Sequence, residues 1–74
     1  MSRLNAREWD LAAETMNILA ADLGRTDADL ARILGARMAE LRPIVGTLYG
    51  LRRVDRCREY VVLSPRFAEG RRAA

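Results

Sequence analysis

Up to Leu51 the apolar residues recur every three or four positions, and after it they fall into short alternating, β-branched runs. A chain patterned this way forms helices first and a small strand pair last, because the two periods bury different sets of side chains. Asn5-Ala6-Arg7-Glu8 fits a capping box, so the first helix starts near Ala6. Its apolar stripe is Trp9, Ala12, Ala13, Met16, Ala20 and Leu23, and Gly24 stops it. Thr26-Asp27-Ala28-Asp29 caps a second helix of about two turns, whose early acids suit the helix dipole. Leu30, Ile33 and Leu34 form its inward face before Gly35. A third helix is expected from Met38 or Ala39 to Gly50 or Leu51, with Leu41, Ile44, Val45, Leu48 and Leu51 inward. Pro43 is tolerated only in its first turn, where the missing N–H has no intrahelical partner, and this favours a start nearer Ala39 than Gly35.

Beyond Leu51, Val54 to Cys57 and Glu59 to Leu63 read as two strands paired around Cys57-Arg58, with Tyr60-Val61-Val62-Leu63 the stronger. Ser64-Pro65 reads as the N-cap and first residue of a last short turn or helix. Residues 66–74 are expected to be a frayed tail. The whole chain, residues 1–74, is expected to be one domain with its core in about 5–65. Trp9, Met16, Leu30, Leu41, Leu48 and Val61 should meet in that core, with Trp9 and Tyr60 as anchors rather than stacking platforms.

With 74 residues the chain buries only about 60% of its unfolded surface, so its stability is modest. One cysteine, Cys57, and no histidine leave no disulfide scaffold and too few ligands for a structural zinc site. Cys57 reads as an incidental exposed thiol rather than a redox or linking one. No apolar run approaches the roughly 20 residues that span a bilayer, and the first residues lack the pattern of a signal peptide. A cytoplasmic protein is the expectation. Catalysis is not expected, because there is no histidine base and no Gly-rich phosphate loop, and Glu8 and Glu14 read as a solvated helix face. No cofactor or metal is implied.

All 13 basic residues are arginine and twelve residues are alanine, the codon bias of a high-GC genome. Their distribution carries more information than their number. Residues 1–36 hold four Arg and six acids, a net −2, while residues 37–74 hold nine Arg and four acids, a net +5. An acidic half joined to a basic half is the asymmetry of a module that meets a polyanion.

The order helix, short helix, Gly-containing turn, helix and hairpin resembles the winged helix-turn-helix superfamily of MarR-like and related small bacterial or phage regulators. Thr26-Asp27-Ala28-Asp29-Leu30-Ala31-Arg32-Ile33-Leu34-Gly35 looks like its second helix. Leu41-Arg42-Pro43-Ile44-Val45-Gly46-Thr47-Leu48-Tyr49-Gly50-Leu51 resembles its recognition helix, and Arg53-Val54 stands where the wing begins. Leu63-Ser64-Pro65 is similar to the close of MarR-like wings. The resemblance covers roughly residues 9–65. It implies a mainly α fold with a small β-hairpin, three helices plus a two-stranded wing, and binding of double-stranded DNA as a transcription regulator. The third helix then enters the major groove while the wing meets flanking phosphates or the minor groove.

On that footing the outer face of the third helix carries Arg37, Glu40, Arg42, Pro43, Gly46, Thr47 and Gly50. Arg42 would reach a guanine edge, Thr47 a base or phosphate, and Arg37 lies at the helix entrance. Arg52, Arg53, Arg56 and Arg58 would supply sequence-independent phosphate contacts. A face this poor in base-reading side chains also suits a winged helix that grips a host protein, as an inhibitor or adaptor. An RNA-binding module is disfavoured, since aromatic platforms and Gly-rich RNA loops are missing. A homodimer on DNA is a further expectation, through Leu4, Leu11 and Leu19 on the side of the first helix away from its stripe.

Overall fold

The computed structural model describes residues 4–21 and 24–65. Three helices and a small antiparallel sheet follow in the order α1 (Ala6–Ala21), β1 (Arg25–Thr26), α2 (Asp27–Leu34), α3 (Met38–Gly50), β2 (Val54–Cys57) and β3 (Tyr60–Leu63). The fold is thus mainly helical, as the apolar periods imply.

Local chemistry sets the helix ends. The capping box forms in both directions: Glu8 N–H donates to Asn5 Oδ1 at 2.8 Å and Asn5 N–H to Glu8 Oε1 at 2.9 Å. Thr26 caps α2 by accepting from Asp29 N–H at 3.1 Å. At the other end Gly35 takes the left-handed conformation, φ 66°, while Gly35 N–H bonds the Arg32 carbonyl and Ala36 N–H that of Ala31. This Schellman closure turns the chain within three residues, Gly35-Ala36-Arg37, into α3.

The sheet has three strands where two were expected, in the order β1-β3-β2. Arg25 pairs with Val61 and Thr26 with Tyr60, so the link between α1 and α2 adds a strand to the free edge of β3. Two residues are too few to show any alternation, which hides β1 in the sequence. Gly24, beside it, has a steric role as well: a Cβ there would stand 2.9 Å from Val62 Cγ1. In the hairpin, Val54 pairs with Leu63 and Cys57 with Tyr60, so the two-residue loop is Arg58-Glu59 and not the expected Cys57-Arg58, and Glu59 turns the chain instead of starting the strand.

The core draws Leu11, Ala12, Met16 and Leu19 from α1, Leu30 and Ala31 from α2, Leu41, Ile44, Val45 and Leu48 from α3, Val54 from β2 and Val61 from β3. Of the six residues expected to meet, Met16, Leu30, Leu41, Leu48 and Val61 do. Trp9 does not, being 47% exposed. Helix α1 is rotated so that Leu11, Thr15 and Leu19 face inward, because burying two leucines removes more apolar area from water than burying Ala13 and Ala20. Thr15 follows them at no cost in lost hydrogen bonding: its hydroxyl donates to the Leu11 carbonyl at 2.7 Å. This rotation overturns the expected dimer edge, since Leu11 and Leu19 belong to the core and Leu4 packs against it. Ile33, Leu51 and Tyr60, also expected inward, are exposed.

Helix α3 begins at Met38, which puts Pro43 sixth in the helix and not in its first turn. Ala39 therefore receives no N–H from Pro43, and its place on the exposed side lets water satisfy the carbonyl. Pro65 is helical, and the residues that would complete the expected cap by Ser64 lie outside the described residues. The expected tail, residues 66–74, and Leu23 lie outside the described residues. Among the described residues no helix is long and apolar enough to cross a membrane.

Candidate functional site

The buried row of α3, Leu41, Ile44, Val45 and Leu48, fixes which residues it turns to solvent: Ala39, Arg42, Gly46, Tyr49 and Gly50 are exposed. Thr47 and Pro43 are half-buried at the margins of that face. A Cβ built on Gly46 or Gly50 would touch nothing among the described residues, so these two positions leave this side of the helix smooth. Arg42 and Tyr49, two turns apart, stand on either side of Gly46.

Arg37 occupies the N-cap position of α3 with extended backbone and no side-chain cap hydrogen bond. Its carbonyl instead accepts from Glu40 and Leu41, both at 3.0 Å. Glu40, the one acid in the first turn, is engaged by Arg7 of α1, Nε to Oε2 at 2.8 Å. The Arg7 hydrogen bond holds the Glu40 carboxyl below the usual glutamate range, overcoming the upward push of partial desolvation, with the charges of Arg7 and Arg37 adding to it.

Ion pairing sorts the arginines. Arg7 is held by Glu40, Arg32 by Asp29 at 3.0 Å, and Arg56 by Asp27 at 3.4 Å through both guanidinium nitrogens. Arg42, Arg52 and Arg58 make no side-chain hydrogen bond or ion pair among the described residues. All three are exposed, on α3, at its C-terminal end and at the hairpin loop respectively. Two exposed acids, Asp55 and Glu59, share the hairpin with them.

Of the seven residues singled out from sequence, the structure therefore sets Arg37, Arg42, Arg52 and Arg58 along α3 and the ends of the hairpin. Thr47 lies at the margin. Arg56 is turned back onto the start of α2. Arg53 borders a different feature, a groove of about 280 Å³ that it lines with Trp9, Ala12, Ala13, Met16, Leu48 and Leu51. Tyr49 is the residue that sequence reasoning missed: at 55% exposed it shares the face of Arg42. The spacing from Arg42, seven positions, was the available signal.

Among the described residues there is no cluster of three or more His, Cys, Asp or Glu side chains able to hold a metal ion. No protein-family model, curated protein or solved structure gives a significant match to this chain.

Proposed function

We propose that this chain is a winged helix-turn-helix domain that binds double-stranded DNA, with α3 in the major groove and the β2–β3 hairpin as a short wing against the backbone. The observation that carries the reading is the sorting of charge. Carboxylates neutralise Arg7, Arg32 and Arg56, while the exposed Arg42, Arg52 and Arg58 have no ion-pair partner among the described residues. Exposed cations that no described carboxylate neutralises suit a polyanion. The element order supports it as well: a Gly-closed turn of three residues joins α2 to α3, the link expected of a helix-turn-helix, and a hairpin follows.

Roles follow from chemistry and position. Arg42 presents a forked donor that matches the O6 and N7 of guanine, and the phenol of Tyr49 donates or accepts at a base edge or phosphate. Arg37, Arg52 and Arg58 neutralise phosphates, adding affinity without reading sequence. Such a domain acts as a small transcription regulator.

A second reading, a winged helix that grips a protein, is favoured by the apolar groove between α1 and α3, beside which Trp9 and Leu51 are both about half exposed. Amide shift mapping with a short duplex tests the first reading. The expected result is perturbation along Ala39, Arg42, Gly46 and Tyr49 and around Arg52 and Arg58. Shifts absent there on adding duplex at low salt would overturn it.

A further inference from the structure

Helices α1 and α3 leave an apolar groove of about 280 Å³ between them, and its walls include Trp9, Ala13 and Met16 on one side and Leu48, Leu51 and Arg53 on the other. Trp9 and Leu51 remain about half exposed beside it. An indole left half in water is a favourable seat for a further apolar group, because covering it removes a large apolar area from solvent. The chain itself leads to this place. Ser64 N–H donates to the Arg53 carbonyl at 3.0 Å, and Ser64 is buried, so the end of β3 is fixed beside a residue of the groove. Pro65, next along, is exposed.

The nine residues that follow, Arg66-Phe67-Ala68-Glu69-Gly70-Arg71-Arg72-Ala73-Ala74, lie outside the described residues. Phe67 is their one large apolar residue, and three residues of chain from Ser64 span up to about 10 Å, which brings its ring within reach of a groove that begins at Arg53. Charge agrees with apolar character. Three arginines against Glu69 give the segment a net +2. Beside Trp9 and Ala13, the outer flank of the α1 wall carries Asp10 and Glu14, one helical turn apart. Both acids are exposed, and neither has an ion pair among the described residues.

We propose that the groove between α1 and α3 is the seat of this chain's own segment 66–74, with Phe67 packed against Trp9 and Leu51 and with Arg71 and Arg72 drawn to Asp10 and Glu14. The inference is independent of the DNA-binding reading. It gives the groove an occupant from within the chain, where the protein-gripping reading gives it a partner.

Trp9 is the chain's only tryptophan, so its fluorescence reports on the groove alone. The test uses the intact chain. In the parent, nuclear Overhauser contacts should join the Phe67 ring to the Trp9 indole and the Met16 methyl group. Phe67→Ala should shift Trp9 emission to the red, increase its quenching by acrylamide and lower the melting temperature by several degrees. Phe67→Leu should restore most of each change. Ala13→Arg, at an exposed position of the α1 wall, should remove the Overhauser contacts although Phe67 is intact. Asp10→Asn together with Glu14→Gln should give a smaller change in Trp9 emission of the same sign, as should added salt in the parent. Sedimentation velocity at the same concentrations identifies which molecule the segment belongs to. Overhauser contacts in a sample that sediments as a monomer are the expected result. Contacts found only where the chain sediments as a dimer would give the groove to the segment of a second copy and overturn the proposal. Trp9 emission and quenching that Phe67→Ala leaves unchanged would overturn it as well.

Discussion

Arg7 Nε donates to Glu40 Oε2 at 2.8 Å, joining the first turn of α1 to the first turn of α3 across 33 residues of sequence. The contact braces the entrance of α3 and neutralises the acid that lies between Arg37 and Arg42 in the sequence. Its effect on stability is pH-dependent with a definite sign. The folded pKa of Glu40 lies below its unfolded value, so the contribution is complete above the ordinary glutamate value of about 4.3 and is lost as pH falls through the folded value. Melting temperature followed from pH 6 into acid should therefore fall less for Glu40→Gln than for the parent. An identical fall for both would show that the pair does not form.

The same pair bears on the interface. Arg7→Ala leaves a carboxylate without its hydrogen-bonded partner on the side where a phosphate backbone would lie, so duplex affinity should drop although Arg7 is outside the proposed contact. Adding Glu40→Gln to Arg7→Ala should recover most of the loss. Failure of the double variant to recover would mean that Arg7 itself touches the ligand.

The core makes a comparative prediction. Leu19 is 2% exposed and Trp9 47%, so Leu19→Ala should cost about 2–5 kcal/mol in denaturant unfolding and Trp9→Ala clearly less. A loss of that size is a large part of the stability of so small a domain. Reversal of the order would return Trp9 to the core and leave Leu19 outside it.

The two variants show what could be read in advance. The caps and the helix-closing glycine were legible, because Asn5, Thr26 and Gly35 act through their immediate neighbours, whereas the hairpin turn falls at Arg58-Glu59, one residue beyond the expected Cys57-Arg58. The rotation of α1 was not legible, because alanines on several sides leave two apolar faces of similar merit, and only the partners supplied by α3 and β3 choose between them. Strand β1 exists through pairing with β3, a contact between distant segments that no local pattern records. At the site, the positions of Arg37, Arg42, Arg52 and Arg58 followed from the helix and hairpin. The diversion of Arg56 to Asp27 depends on how the hairpin meets α2, which spacing along the chain does not encode.

Glycine substitutions probe two surfaces in opposite directions. Gly46→Ala adds a methyl group to open space in a helix interior and should raise stability by about 1 kcal/mol. Gly24→Ala brings a Cβ to 2.9 Å from Val62 Cγ1 and should lower it. Denaturant midpoints measure both. A destabilising Gly46→Ala would show that the outer face of α3 is covered within the protein.

The most direct measurement is the affinity of the intact chain for a random DNA duplex, by fluorescence anisotropy, from low to moderate salt. Arg37, Arg52 and Arg58 acting together on phosphates give a slope of about −3 in log affinity against log salt. A line of that steepness, becoming shallower in Arg52 and Arg58 variants, is the result this account predicts. Absence of binding at the lowest salt, or an affinity that does not change with salt, would contradict it.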